Sequence, residues 1–142
     1  MMKRVIKIFE KSLGGNHPDV ATSINNLALL LQATNRLVEA EPLIKRALQI
    51  DEQSFGKDHP KVATGLNNLA NLLYATNRLG EAEPLSLRHV EIIINLTRVT
   101  GHRHPHLEEA INNYTTILQA MGWSKEQIIA QLRKIAPEFF DK

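Results

Sequence analysis

Three kinds of residue cluster in this chain have types and spacings that could do chemistry. His102, His104 and His106 form an H-x-H-x-H run, and imidazoles are common metal ligands. Glu39/Glu41, Glu81/Glu83 and Glu108/Glu109 are paired carboxylates, the raw material of general acid–base work. Adjacent asparagines recur at Asn25-Asn26, Asn67-Asn68 and Asn112-Asn113. A side-chain amide carries one acceptor and two donor hydrogens, so it can grip the N–H and C=O of an extended peptide at once.

Context narrows the first two. No Asp or Cys accompanies the histidine run, although Glu108 and Glu109 follow it. His104 precedes Pro105 as His17 precedes Pro18 and His59 precedes Pro60. Its place in a repeated motif explains it without a metal, because a ligand set must converge in space and not merely along the chain. The three read as surface histidines, and no metal is expected. Two of the glutamate pairs straddle Ala40 and Ala82 at the start of a helix, where negative charge complements the helix dipole and faces solvent. There is no nucleophile–base constellation, glycine-rich phosphate loop or zinc-hydrolase motif. The expectation is a protein that is not an enzyme and needs no cofactor.

Composition bounds the remaining classes. The 142 residues are 43% hydrophobic and 23% charged, the balance of a soluble folded domain and not of a disordered chain. Aromatic residues are scarce, which suits helices packed through Leu, Ile and Ala. The formal net charge of +2 is spread over interspersed Lys, Arg, Asp and Glu. No helix carries a one-sided basic stripe, so nucleic acid is not an expected partner. With no cysteine, disulfides and thiolate metal sites are excluded. The apolar positions of Met1 to Leu13 are interrupted by Lys7, Glu10 and Lys11, so no export signal is read there. No apolar run reaches membrane-spanning length. The expectation is a cytoplasmic protein with no membrane association, in which the glycosylation-type triplets at Asn95 and Asn113 are chance matches.

The elements that position these residues are repeats. HPDVATSINNLALLLQATNRLVEAEPLIKRALQI from His17 is echoed by HPKVATGLNNLANLLYATNRLGEAEPLSLRHVEI from His59, a period of about 42 residues that signals a solenoid. A weaker copy, HPHLEEAINNYTTILQAMGW, starts at His104, and a leading half copy occupies Val5 to Pro18. Each full copy reads as two helices. Pro18 suits a helix start, and Ile24, Leu27, Ala28 and Leu31 then make one apolar face at spacings of three and four. Residues 33–36 supply a turn. A second helix starts near Leu37 or Val38, with Pro42 in its first turn, and buries Ala40, Leu43, Ile44, Ala47 and Leu48. It runs to about Ser54, and Gly56 ends it in the left-handed conformation. No stretch alternates long enough to be a strand. Between the second and third copies the spacing grows by about three residues, within Ile92 to Arg98, and His89 stands where the first copy has Ala47. A modified terminal repeat accounts for both.

The order Leu27-Ala28, then Ala40-x-x-x-Ile44-x-x-Ala47, resembles the tetratricopeptide signature, in which small residues let paired helices approach closely. Leu13-Gly14-x-x-His17-Pro18, Leu66-Asn67-Asn68-Leu69-Ala70 and Glu81-Ala82-Glu83-Pro84-Leu85 resemble the long-period subtype of kinesin light chains. The resemblance implies an all-α, right-handed solenoid of about seven helices. It divides a single domain, 1–142, into a leading half repeat (1–16), two repeats (17–58 and 59–103) and a degenerate last one (104–142). It also implies a concave side lined by the first helix of each repeat. The exposed face of those helices is Thr22, Asn25, Leu29 and Gln32, then Thr64, Asn67, Asn71 and Tyr74, then Glu109, Asn112, Thr116 and Gln119. The matching asparagines of kinesin light chains are understood to hold bound peptide, which implies that role for Asn25, Asn67 and Asn112. Asn26, Asn68 and Asn113 point about 100° away and are read as structural. These face positions include no Lys or Arg, so a carboxylate clamp is not expected.

The expected function is a non-catalytic scaffold binding a peptide segment of a partner protein. The alternative is a self-assembling module, a homo-oligomer formed through Val5, Ile6, Phe9 and Leu13 or through Phe139 and Phe140. Near the end Ser124 and Gln127 form a capping box, Ile128, Ile129, Leu132 and Ile135 an apolar face, and Pro137 a stop. Phe139 and Phe140 either fold back as a lid or meet another subunit.

Overall fold

The computed structural model describes residues 17–140. They form helices in antiparallel pairs: α1 (Pro18–Ala33) with α2 (Leu37–Phe55), α3 (Pro60–Ala75) with α4 (Leu79–Thr100), and α5 (Leu107–Ala120) with α6 (Lys125–Ile135), then a short α7 (Pro137–Phe140). There is no strand among the described residues. The architecture is an all-α solenoid of helix–turn–helix repeats. The leading half copy, with Val5, Ile6, Phe9 and Leu13, lies outside the described residues, and the seventh helix seen is the C-terminal α7. None of the described helices is long and apolar enough to cross a membrane.

The recurrent His-Pro pair has a local cause. His17 and His59 are N-caps whose Nδ1 accepts the backbone N–H of Asp19 (3.0 Å) and Lys61 (3.1 Å). The following prolines occupy the first helical position, where no N–H is needed. His104 repeats the bond to His106 N–H at 3.0 Å, although α5 itself starts only at Leu107. Phe55 stacks on His59, with ring centroids 4.5 Å apart, and so fixes the linker between repeats. His59→Ala is expected to cost about 0.5–2 kcal/mol and His59→Asn much less, because asparagine also caps. Urea denaturation of the two variants checks this.

The turns inside each pair share one chemistry. Asn35 (φ 61) and Asn77 (φ 59) adopt the left-handed conformation, which asparagine tolerates better than most residues. The N–H of Arg36 reaches Leu31 C=O and that of Arg78 reaches Leu73 C=O, so the last carbonyls of α1 and α3 are satisfied. Gly122 (φ 91) serves the third pair, with Trp123 N–H bonded to Leu118 C=O. Gly56 departs from expectation: its φ of 86 and ψ of 166 place it in an extended region open essentially to glycine alone. Gly101 (φ 73, ψ 3) is the glycine that ends a helix, α4, in the left-handed conformation.

Pro42 also departs. The helix starts at Leu37 as expected, which puts Pro42 in the second turn, as Pro84 is in α4. Each proline removes one helical N–H bond, to Val38 or Gly80, and both of those residues lie on the exposed side where water serves the carbonyl. The core is built from the expected stripes. Ala28, Ala40 and Ile44 are fully buried, as are Leu66 and Ala82, and each pair also packs on the next. The three extra residues between copies lengthen α4 to 22 residues against 19 for α2. At the far end Arg98 of α4 binds both Glu138 oxygens (2.7 and 2.8 Å). Phe139 and Phe140 are partly buried against the chain's own core, the folded-back arrangement.

Candidate functional site

The first helices bring the expected face together. Thr22, Leu29, Thr64, Asn71 and Tyr74 are exposed, as are Glu109, Asn112, Thr116 and Gln119. Asn25, Gln32 and Asn67 are half-buried, and none of the face residues belongs to the core. Thr22 and Thr64 donate their hydroxyls to the carbonyls of Pro18 and Pro60 (3.2 and 3.3 Å). Thr116 does the same to Asn112 at 2.8 Å, so these oxygens meet solvent as acceptors. Leu29 and Tyr74 are each more than 40% exposed, large apolar surfaces beside the amides.

The asparagine pairs work together and not apart. Asn68 Nδ2 donates to Asn25 Oδ1 at 3.4 Å, and Asn113 Nδ2 donates to Asn67 Oδ1 at 3.2 Å. The second asparagine of one repeat therefore holds the first asparagine of the repeat before it. One lone pair of each receiving oxygen is used. The amide hydrogens of Asn25 and Asn67 are left pointing away from that bond, and each oxygen keeps a second lone pair.

Two notches open on the same face, each between neighbouring repeats. The first, about 170 Å³, is lined by Thr22, Asn25, Asn26, Asp51, Lys61 and Thr64 among others. The second, about 150 Å³, is lined by Thr64, Asn67, His89, His106 and Glu109. Both are smaller than small-molecule sites, which run to roughly 300–1,000 Å³. They fit the end of one side chain.

Lys61, Asp51, His89 and His106 were not among the expected face residues. Lys61 and His106 stand three residues before Thr64 and Glu109, so extending the i, i+3 pattern by one turn would have included them. The face is therefore not free of cations: Lys61 lines the first notch, 5.1 Å above the Phe55 ring. Asp51 and His89 come from second helices, from which no face position was expected. Burial pushes the Asp51 carboxyl up, against the pull of Lys61 and His59. His89 is buried with Nδ1 2.8 Å from Ala63 C=O. Burial pushes its imidazole down, and the Ala63 carbonyl and Glu109 partly restore it.

Glu39 and Glu81 are exposed as expected, whereas Glu41 and Glu83 are half-buried. Glu39 and Glu81 pair with Arg36 and Arg78 of the preceding turn. Glu41 instead crosses to Arg78 of the next repeat and also binds Lys45 at 2.8 Å. Its Lys45 bond first, then Arg78, hold its carboxyl below the usual range. Glu83 accepts from Tyr114 Oη at 2.9 Å. The second glutamate of the first two pairs thus ties one repeat to the next, whereas Glu109 lies 3.4 Å from His106 of its own repeat. Among the described residues no group of three or more His, Cys, Asp or Glu side chains could hold a metal ion.

The tetratricopeptide repeat family matches residues 1–53 and 24–95. No curated protein matches the chain. BtubC (BKLC) from P. vanneervenii is similar in structure, with TM-score 0.81 and 24% identity over 97% of this chain and 55% of that one. The nearly identical TPR-like repeats of a kinesin light chain candidate from Podosopora anserina give TM-score 0.80 and 24% identity, over 96% of this chain and 64% of that one. At such identity the likeness is one of fold, and this chain spans less than two-thirds of either length.

Proposed function

We propose that this chain, which belongs to the tetratricopeptide repeat family, is a non-catalytic adaptor that holds a peptide segment of a partner protein along its first-helix face. Repeats of this family generally mediate contacts between proteins and are generally non-catalytic. The observation that carries the finer reading is the amide ladder: Asn25, Asn67 and Asn112 recur once per repeat, and the first two are fixed in orientation by Asn68 and Asn113. A pre-oriented donor loses less freedom on binding than a mobile one. The peptide N–H and C=O groups meet the amides, and Leu29 and Tyr74 take apolar side chains. The packing of Phe139 and Phe140, partly buried against the chain's own core, speaks against self-association through them.

A library of extended peptides screened against wild type, Asn67→Ala and Asn112→Ala tests this. Each variant is expected to weaken binding about tenfold, the worth of one to two hydrogen bonds. Asn112→Ala touches neither inter-repeat amide bond and so separates loss of contact from loss of packing. Equal binding by all three proteins would remove the ladder from the mechanism.

A further inference from the structure

The second notch has a chemical bias that the neutral amides lack. Its lining converges from α3 (Thr64, Asn67), α4 (His89) and the start of α5 (His106, Glu109), and most of what it presents accepts hydrogen bonds. Thr64 has spent its hydrogen on Pro60 C=O and offers lone pairs. His89 donates Nδ1–H to Ala63 C=O, which makes Nε2 the acceptor of a neutral ring. Glu109 supplies a carboxylate, 3.4 Å from His106 Nδ1. Asn67 is the amide donor, its oxygen already engaged by Asn113.

The first notch is built from the corresponding positions but is balanced differently. Lys61 stands where His106 stands, Thr64 where Glu109 stands, and Ala47 where His89 stands. It pairs a cation with the Asp51 carboxylate. Only in the second notch are the lysine and the alanine replaced by histidines and the threonine by a glutamate.

We propose that the second notch is a specificity pocket that takes one basic side chain, lysine or arginine, of the bound peptide. Its ammonium or guanidinium group lies against Glu109, with Thr64 and His89 accepting further hydrogens. This rests on the peptide-binding reading and adds to it the chemistry of one peptide position. A carboxylate in the same place would meet the Glu109 carboxylate and the lone pairs of Thr64 and His89, which outweigh the Asn67 amide and His106. An apolar side chain would leave the acceptors without partners. The burial that keeps the His89 ring uncharged preserves its accepting nitrogen.

The test is a set of labelled Ser/Ala peptides carrying a single Lys, Arg, Leu or Glu at successive positions, titrated by fluorescence anisotropy. Wild type should favour Lys or Arg at one position by about tenfold or more, the worth of a charge-assisted hydrogen bond. Glu109→Gln should erase that preference, bringing the Lys, Arg and Leu peptides within about twofold of one another. Glu109→Lys should transfer the preference to Glu. Both substitutions fall on an exposed side chain, so folding is preserved, and thermal melts verify it. Peptides that bind without basic preference, or a preference that survives Glu109→Gln, overturn the pocket and leave the peptide reading standing. Silence across the whole set overturns both.

Discussion

Tyr114→Ala is expected to destabilise the chain by about 3–5 kcal/mol, the range for removing a buried aromatic ring. Tyr114 is fully buried on α5, at the position where the earlier repeats carry Leu27 and Leu69. Its ring fills the third repeat, and its hydroxyl joins that repeat's two helices to the repeat before it. The hydroxyl donates to Glu83 of α4 at 2.9 Å and accepts from Gln131 of α6 at 3.1 Å. Burial, reinforced by the Glu83 carboxylate, holds the phenol well above its ordinary range, so it remains a neutral donor. Tyr114→Phe keeps the ring and loses only these bonds, for an expected cost of about 1–2 kcal/mol. Urea denaturation monitored by circular dichroism measures both. A Phe variant as weak as the Ala variant would mean that the hydroxyl network, and not the ring, holds the last repeat.

His89→Ala is expected to cost about 1–3 kcal/mol at neutral pH, from the void left by the ring and the lost bond to Ala63. It should also flatten the dependence of stability on pH. The folded chain holds the imidazole below its ordinary value of 6.5, so near that pH the unfolded chain binds more protons. Stability therefore rises with pH. The contribution of His89 is complete above about 6.5 and is lost as pH falls from there through the depressed folded value. The titratable groups that face it are His104, His106 and Glu109. Subtracting the variant's stability-against-pH curve from that of wild type isolates the residue. Parallel curves between neutral and mildly acid pH would mean that the buried ring is not what acid attacks.

The helix pairs were legible because the same apolar spacing appears twice with the same turn residues, and the third copy could be aligned on His104 and Asn112-Asn113. The face residues followed from the same arithmetic along single helices. What escaped was everything that depends on the offset between one helix and the next. Glu41 reaching Arg78, and Glu83 reaching Tyr114, require knowing how far repeats are displaced along their stacking direction. Asn68 pointing back at Asn25 likewise cannot be seen from the angle between neighbours on one helix. His89 was noticed as a bulky residue in a small position, yet its place at the floor of a notch depends on α5. Pro42 was misplaced by a turn because sequence alone does not say that an exposed carbonyl can lose its helical partner at little cost.

The amide-to-amide bonds along the face have a mechanical meaning. Asn25–Asn68 and Asn67–Asn113 act as small springs between successive units, set on the same line that a ligand would occupy. A change in the offset between units would lengthen them and release the orientation of the amides. A partner spanning several units would grip a relaxed array firmly and a strained one loosely.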